Sequence, residues 1–258
     1  IIYESFSASL CEGSDIEFLE LIREISTKEK IILIIDEVYS GFYKTGNLFN
    51  FMESNIVPDI VAFGKSFGGG KSSISGFISK ESVFKAAYGK SKYATLHSTT
   101  YAGLGEEAAT AIKSLEIAVR DDYSSKAKLL NDKIYKILAE LSKKSPLIKS
   151  FSGQGALWAI EVNLLPIMKI LGMEKFNKRT AEKFLIALLI EKLYSEKNVL
   201  SFFGSNTSVK LIISMPLIAS EKELEHLSDA LNHVFKDTVG IKRLALNQGF
   251  KTIMSKFY

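Results

Sequence analysis

The chain has 258 residues, 47% hydrophobic and 24% charged, and 33 basic against 29 acidic residues give a net charge of +4. That composition suits one large or two modest folded domains, and no basic tract with interleaved aromatics marks a nucleic-acid groove, so no nucleic acid is expected as a partner. The single cysteine, Cys11, and three scattered histidines exclude an internal disulfide and a paired-cysteine zinc site; the expectation is no metal, a reducing cytoplasm and, with apolar runs far shorter than a bilayer, no membrane partner.

Taken in chain order, "IIYE" at the start reads as a strand, and an opening at Ile1 rather than Met is read as a cut inside a fold. Over 15–29, Ile16, Leu19, Ile22 and Ile25 recur at helical spacing. "IILIIDEV" (31–38) follows, an uninterrupted apolar run ending in acids, which predicts a strand buried on both faces of a parallel sheet. "PDIVAF" (58–63) and "ISGFIS" (74–79) read as two further strands, and strands alternating with helices argue for an α/β fold with a mostly parallel sheet.

From Gly103 the pattern turns helical. Leu104, Ala108, Ile112, Leu115 and Val119 form a stripe read as the buried face of one helix, and a second helix is predicted over 124–143. "SGQGALWAIEV" (152–162), a helix around 178–194, the strand-like "VKLIIS" (209–214) and a helix from Glu221 to about Phe235 describe a smaller α+β unit. The expected organisation is residues 1–125 as part of a large domain and 126–258 as a small C-terminal domain. Trp158 is expected in the core, His226 and His233 on the surface, and the tail from 236 shows no periodicity.

Three stretches carry chemistry. Asp36 closes a buried parallel strand, at the edge where open α/β sheets bind ligands, and an acid beside such a strand needs a partner. Lys65 ends the next strand inside "FGKSFGGGKSS" (63–73). A phosphate loop needs Gly, four residues, then Gly-Lys-Ser/Thr. The required first glycine falls on Lys65 in one frame and on Asp59 in the other, so that reading fails, and Lys71 is left as a surface lysine. "HSTTYAG" (97–103) is either a polar loop capping a helix or an anion cup. An amine, a strand-end carboxylate and a hydroxyl-rich loop together match the needs of pyridoxal phosphate.

With those residues in hand, a family resemblance is specific. "IILIIDEVYSGFYKTGNLF" resembles the Asp-Glu-Val signature of class III aminotransferases, of the aspartate aminotransferase fold (fold type I). "PDIVAFGKSFGGG" resembles their lysine segment, "HSTTYAG" their phosphate-side loop, and "GALWAIEV" and "SMPLIASEKELEHL" their later small-domain segments. The similarity runs from about Glu4 to about Phe235.

The resemblance implies a partial large domain of a pyridoxal-phosphate transferase followed by the small domain. It implies pyridoxal 5'-phosphate as cofactor, Lys65 as its Schiff-base lysine and proton carrier, Asp36 as partner of the pyridinium nitrogen, and Val38 against the ring face. Tyr39 stands where the family usually has a glutamine near the cofactor's phenolic oxygen. Thr100 would bind phosphate across the interface of a homodimer. The substrates implied are a small amino donor and a keto acid or aldehyde acceptor. An aminomutase of the glutamate-1-semialdehyde type and a non-catalytic structural domain are the alternatives.

The chain departs from the family pattern in several places. Tyr43-Lys44 replaces Gly-Arg, "YAG" replaces "F-GN", and Ile212 and Met215 stand where many members carry an arginine ahead of the first proline. Nothing in residues 1–30 matches the glycine/serine phosphate loop or the stacking aromatic of the family's N-terminal part, so the chain is expected to be a piece of a larger polypeptide.

Overall fold

The apolar runs pair into two four-stranded sheets, one in each of two compact units. In a computed structural model, residues 1–163, 177–205 and 208–236 are described; the tail beyond 236 lies outside them. The first unit is built from Ile1–Ala8 and Gly13–Lys128, the second from Ser9–Glu12 and the chain from Leu129 on.

The first part of the chain contains, in order, β1 (Ile2–Glu4), the short β2 (Phe6–Ser7) and β3 (Glu12–Gly13), α1 (Ile16–Lys28), β4 (Ile34–Asp36), β5 (Ile60–Phe63), β6 (Gly76–Ser79), α2 (Glu81–Tyr88) and α3 (Gly105–Arg120). The sheet order is β1-β4-β5-β6, with β1, β4 and β5 parallel and β6 antiparallel to β5. Tyr3, Ile35, Val61 and Ile78 stand abreast, and so do Glu4, Asp36, Ala62 and Phe77 on the opposite face. Leu19 of α1 joins Leu33, Ile35, Phe49, Phe51, Ile56 and Val61 in the core of this unit.

Two sequence expectations shift here. The run 31–35 is not buried throughout: Ile31 and Ile32 are exposed, and the strand starts only at Ile34. Lys30, at φ 54, reverses the chain after α1, and the Ile31 N–H is drawn back to the Ser26 carbonyl, which uses up the first residues of the run. On α3 the predicted buried stripe is displaced. Leu104, Ile112 and Val119 are exposed, while Ala111 and Ala118 are buried. Ala111 and Ala118 lie on the same helix face as Ser114, which comes so close to Gly69 that a Cβ there would meet its Oγ at 2.7 Å.

The second unit contains α4 (Tyr123–Lys144, all but its first turns), β7 (Ile148–Gln154), β8 (Leu157–Val162), α5 (Lys178–Lys197), β9 (Phe202–Ser205), β10 (Val209–Ser214) and α6 (Glu221–Lys236). Its antiparallel sheet runs β7-β8-β10-β9. The middle of α5, residues 184–190, is apolar on every side, and Phe184, Leu185, Ile186, Leu188 and Leu189 are all buried, as a segment inside a core requires. Trp158 is 4% exposed, with its indole N–H donated to the Gly155 carbonyl and its ring beside Tyr135 and Phe151.

Ser9–Glu12 is a strap of this second unit. Its Leu10 carbonyl accepts from Ser152 Oγ and from Lys210 Nζ, Glu12 pairs with Lys210 at 2.5 Å, and Cys11 is wholly buried. A Cβ on Gly204 would lie 2.1 Å from the Ser9 carbonyl, so the strap passes where only glycine admits backbone. Among the described residues, no helix is long and apolar enough to cross a membrane, and no group of three His, Cys, Asp or Glu side chains is placed to hold a metal ion.

Candidate functional site

The register of the first sheet sets the geometry. Asp36 pairs with Ala62, so the chain leaves β4 and β5 side by side at their carboxyl ends, one after the acid and the other two residues before Lys65. Asp36 is half-buried, and its Oδ1 accepts the Val38 N–H at 2.9 Å, which bends the chain into a turn at once. Val38 therefore opens a turn rather than continuing the strand expected over 31–38.

Beneath that turn lies a residue the sequence reading did not single out. Glu37 is fully buried and accepts three hydrogen bonds, from Ser5 Oγ at 2.7 Å, Ser40 Oγ at 2.5 Å and the Phe51 N–H at 2.9 Å. Its own N–H extends the β4–β5 ladder to the Ala62 carbonyl at 2.8 Å. A buried carboxylate is stable only with such donors, and here it ties the turn after Asp36 to two distant segments. Only the adjacency of a second acid to Asp36 signals it in the sequence.

The lysine side is fixed by backbone strain and aromatic packing. Lys65 has φ 45, in the left-handed region that a residue with a Cβ seldom adopts, and it begins a short 3-10 turn, Lys65–Gly68. Gly64 before it is buried, and Gly69 and Gly70 after it have φ 60 and 73. Phe67, inside the turn, stacks on Phe42 at 5.0 Å and 22°, and meets Phe63 edge-on at 4.9 Å. Phe42 and Tyr43 are themselves left-handed, at φ 59 and 68, held in a tight loop by N–H bonds to Leu48 and Asn47. Burial pushes the neighbouring Lys44 ammonium below its usual pKa.

Tyr39 meets Lys65 directly. The lysine Nζ lies 4.6 Å from the centre of the Tyr39 ring, within cation–π range. Asp36, Val38, Tyr39 and Lys65 thus cluster at one sheet edge. Thr100 does not join them: it is exposed in the loop before α3, and among the described residues no hydrogen bond links it to Asp36, Tyr39 or Lys65. Its neighbours Thr99 and Tyr101, with Ser73, Ser75 and His97, line a hollow of about 560 Å³ at the start of α3. His97 stacks on Phe77 at 5.4 Å and 17°. Phe77 stands in the row of Asp36 and Ala62.

Comparison with known proteins adds the family. The model described as "Aminotransferase class-III" matches residues 12–235. An uncharacterised aminotransferase of Schizosaccharomyces pombe is 31% identical over 150 residues, 58% of this chain and 31% of that protein. The mitochondrial ornithine aminotransferase of Arabidopsis thaliana is 29% identical over 221 residues, 85% of this chain and 42% of its own length. Among solved structures, a transaminase from a marine Virgibacillus superposes with a TM-score of 0.80 at 20% identity, over 92% of this chain and 52% of that one. A Bacillus anthracis aminotransferase gives 0.77 at 24%, over 91% and 51%. The chain spans about a third to a half of the proteins it matches, and its fold is that of the fold type I transaminases. With the matched segment taking in both sheet-edge residues and most of each unit, the chain belongs to the class III aminotransferase family.

Proposed function

We propose that this chain carries the lysine-bearing part of a pyridoxal-phosphate-dependent aminotransferase. The enzyme moves an amino group from an amine or amino acid to a keto acid or aldehyde. The observation that carries the reading is the pairing of Asp36 with Ala62 in adjacent parallel strands, which delivers a carboxylate and the strained Lys65 to the same carboxyl edge of the sheet. The residues fit the group: an amine for an aldehyde, an acid for a ring nitrogen, and a row of Asp36, Ala62 and Phe77 whose central methyl leaves room beside the acid.

Pyridoxal phosphate, when bound, supplies an aldehyde for amines and a ring that takes up electrons released at the substrate α-carbon. Lys65 would hold the cofactor through a Schiff base and carry a proton to and from the substrate carbon, the work of a general acid and base. Asp36 would keep the ring nitrogen protonated, and Val38, at the head of the turn, would bear on the ring. Thr100, exposed in the loop before α3, would act on the phosphate of a second subunit, which makes the proposed assembly a homodimer with shared sites. The single cysteine supports a cytoplasmic setting.

The test is an absorption spectrum of the full natural polypeptide with pyridoxal phosphate, followed by borohydride reduction and peptide mapping. Label on Lys65, lost in Lys65→Gln, is the expected result. Label spread over exposed lysines such as Lys71 would overturn the proposal. Release of product that requires an added keto acid separates amino transfer from an internal amino shift.

A further inference from the structure

We infer that Tyr39 is a positioning residue for Lys65, and that the face of its ring, not its hydroxyl, does the positioning. The inference rests on the reading of Lys65 as the reactive lysine. Lys65 is exposed, and its ammonium sits at the end of a flexible four-carbon stem that samples many rotamers in water. A reactive amine must return to one place on each turnover. Among the described residues the partner the structure gives that ammonium is the Tyr39 ring, 4.6 Å from Nζ.

Both ends of the contact are anchored independently. On the Tyr39 side, the buried Glu37 carboxylate fixes the residue two before the tyrosine, and the Gly41 N–H, two after it, returns to the Glu37 carbonyl at 3.0 Å. A Cβ on Gly41 would lie 2.8 Å from that carbonyl, so the turn closes tightly. On the Lys65 side, the left-handed φ of 45 aims the side chain, and the Phe67–Phe42 stack holds the turn that sets it. With both backbones fixed, what remains free is the lysine stem. The negative face of an aromatic ring selects the rotamer that lays the ammonium over it, a contact weaker than an ion pair with a carboxylate, so the seat holds the lysine in place and must let it go before the amine reacts.

Ring and hydroxyl make opposite predictions for one substitution. A hydroxyl directed at the cofactor's oxygen is lost in Tyr39→Phe, whereas the ring seat is kept. The experiment uses cofactor-free full-length protein and a small amine-acylating reagent, with labelling of Lys65 scored by peptide mass mapping against Lys71, the exposed lysine of the same loop. A seated ammonium is shielded and acylates slowly. Tyr39→Leu should raise the Lys65-to-Lys71 labelling ratio about two- to thirty-fold, the range of a single cation–π contact. Tyr39→Phe should leave the ratio at the wild-type value.

A rise in Tyr39→Phe equal to that in Tyr39→Leu overturns the inference in favour of the hydroxyl. An unchanged ratio in both variants overturns it outright, and Tyr39→Met provides a second ringless variant should the leucine variant misfold. Borohydride trapping of pyridoxal phosphate on the wild-type protein is run in parallel. If Lys65 takes no cofactor while the labelling pattern holds, the aminotransferase reading fails and the ring seat stands.

Discussion

Asp59 offers the sharpest quantitative test of the first unit. It precedes β5, is 13% exposed, and binds three donors that come from three different segments: the Leu33 N–H at 2.8 Å, Arg23 of α1 at 2.9 Å and Lys80 at 2.8 Å. Burial alone would raise its pKa, but the Leu33 N–H and the two cations outweigh that and hold it at about 2, against 3.8 for a free aspartate. The folded-state value is depressed, so the stabilisation is complete above the unfolded value and disappears as pH falls through the folded one. A shift of about 1.8 units at 1.36 kcal/mol per unit amounts to roughly 2 kcal/mol at neutral pH, with about half gone by pH 3 and nearly all below pH 2. Asp59→Asn keeps one carbonyl for the Leu33 N–H and removes the charge. Urea unfolding followed by far-UV circular dichroism should show the variant about 2 kcal/mol less stable at pH 7, with the gap closing toward acid pH. Parallel stability curves from pH 7 to pH 2 would refute the reasoning, because they would mean that the carboxylate is no better placed in the folded chain than in the unfolded one.

Two further predictions concern the second unit. The Cys11 thiol is pushed up to about 12, chiefly by burial, with Lys210 opposing and Glu12 adding to the shift; it should therefore ignore a disulfide reagent at pH 8 in native protein and react fully in urea, and prompt native reaction would refute the strap geometry. Gly153→Ala would place a methyl 2.4 Å from the Trp158 ring and 2.5 Å from the Leu157 carbonyl. That overpacking should cost about 1–3 kcal/mol and shift the fluorescence of the single tryptophan, and a neutral substitution would show that β7 and β8 lie farther apart than described.

Much of the architecture was legible because period and composition encode it. The buried helix over 178–197 and the strand 209–214 follow from apolar patterning alone. The α3 stripe was misplaced because periodicity finds the greasiest face of a helix, whereas packing against a glycine turn selects the smallest. Ala111 and Ala118 carry little hydrophobic signal, yet they share a helix face with Ser114, the α3 residue that meets Gly69. At the site, Asp36 and Lys65 were readable because one ends an apolar strand and the other follows one by two residues. Glu37 was not, because an acid has no pattern that announces three donors arriving from Ser5, Ser40 and Phe51, 32, 3 and 14 residues away. The Tyr39–Lys65 contact spans two loops and depends on a left-handed φ at a lysine, which no local propensity predicts.

The strap Ser9–Glu12 bears on how this fold can be divided. Although it lies near the beginning of the chain, it belongs with the unit that otherwise starts at Leu129. A fragment begun at Leu129 would lose the Glu12 carboxylate and the Leu10 carbonyl that hold the Lys210 ammonium, keep only Ser152 Oγ of its three hydrogen-bond partners, and leave a channel over Gly204 with nothing to fill it. The small unit is therefore not a transplantable module: any chimera that exchanges it between relatives must move residues 9–12 with it, as two cuts rather than one.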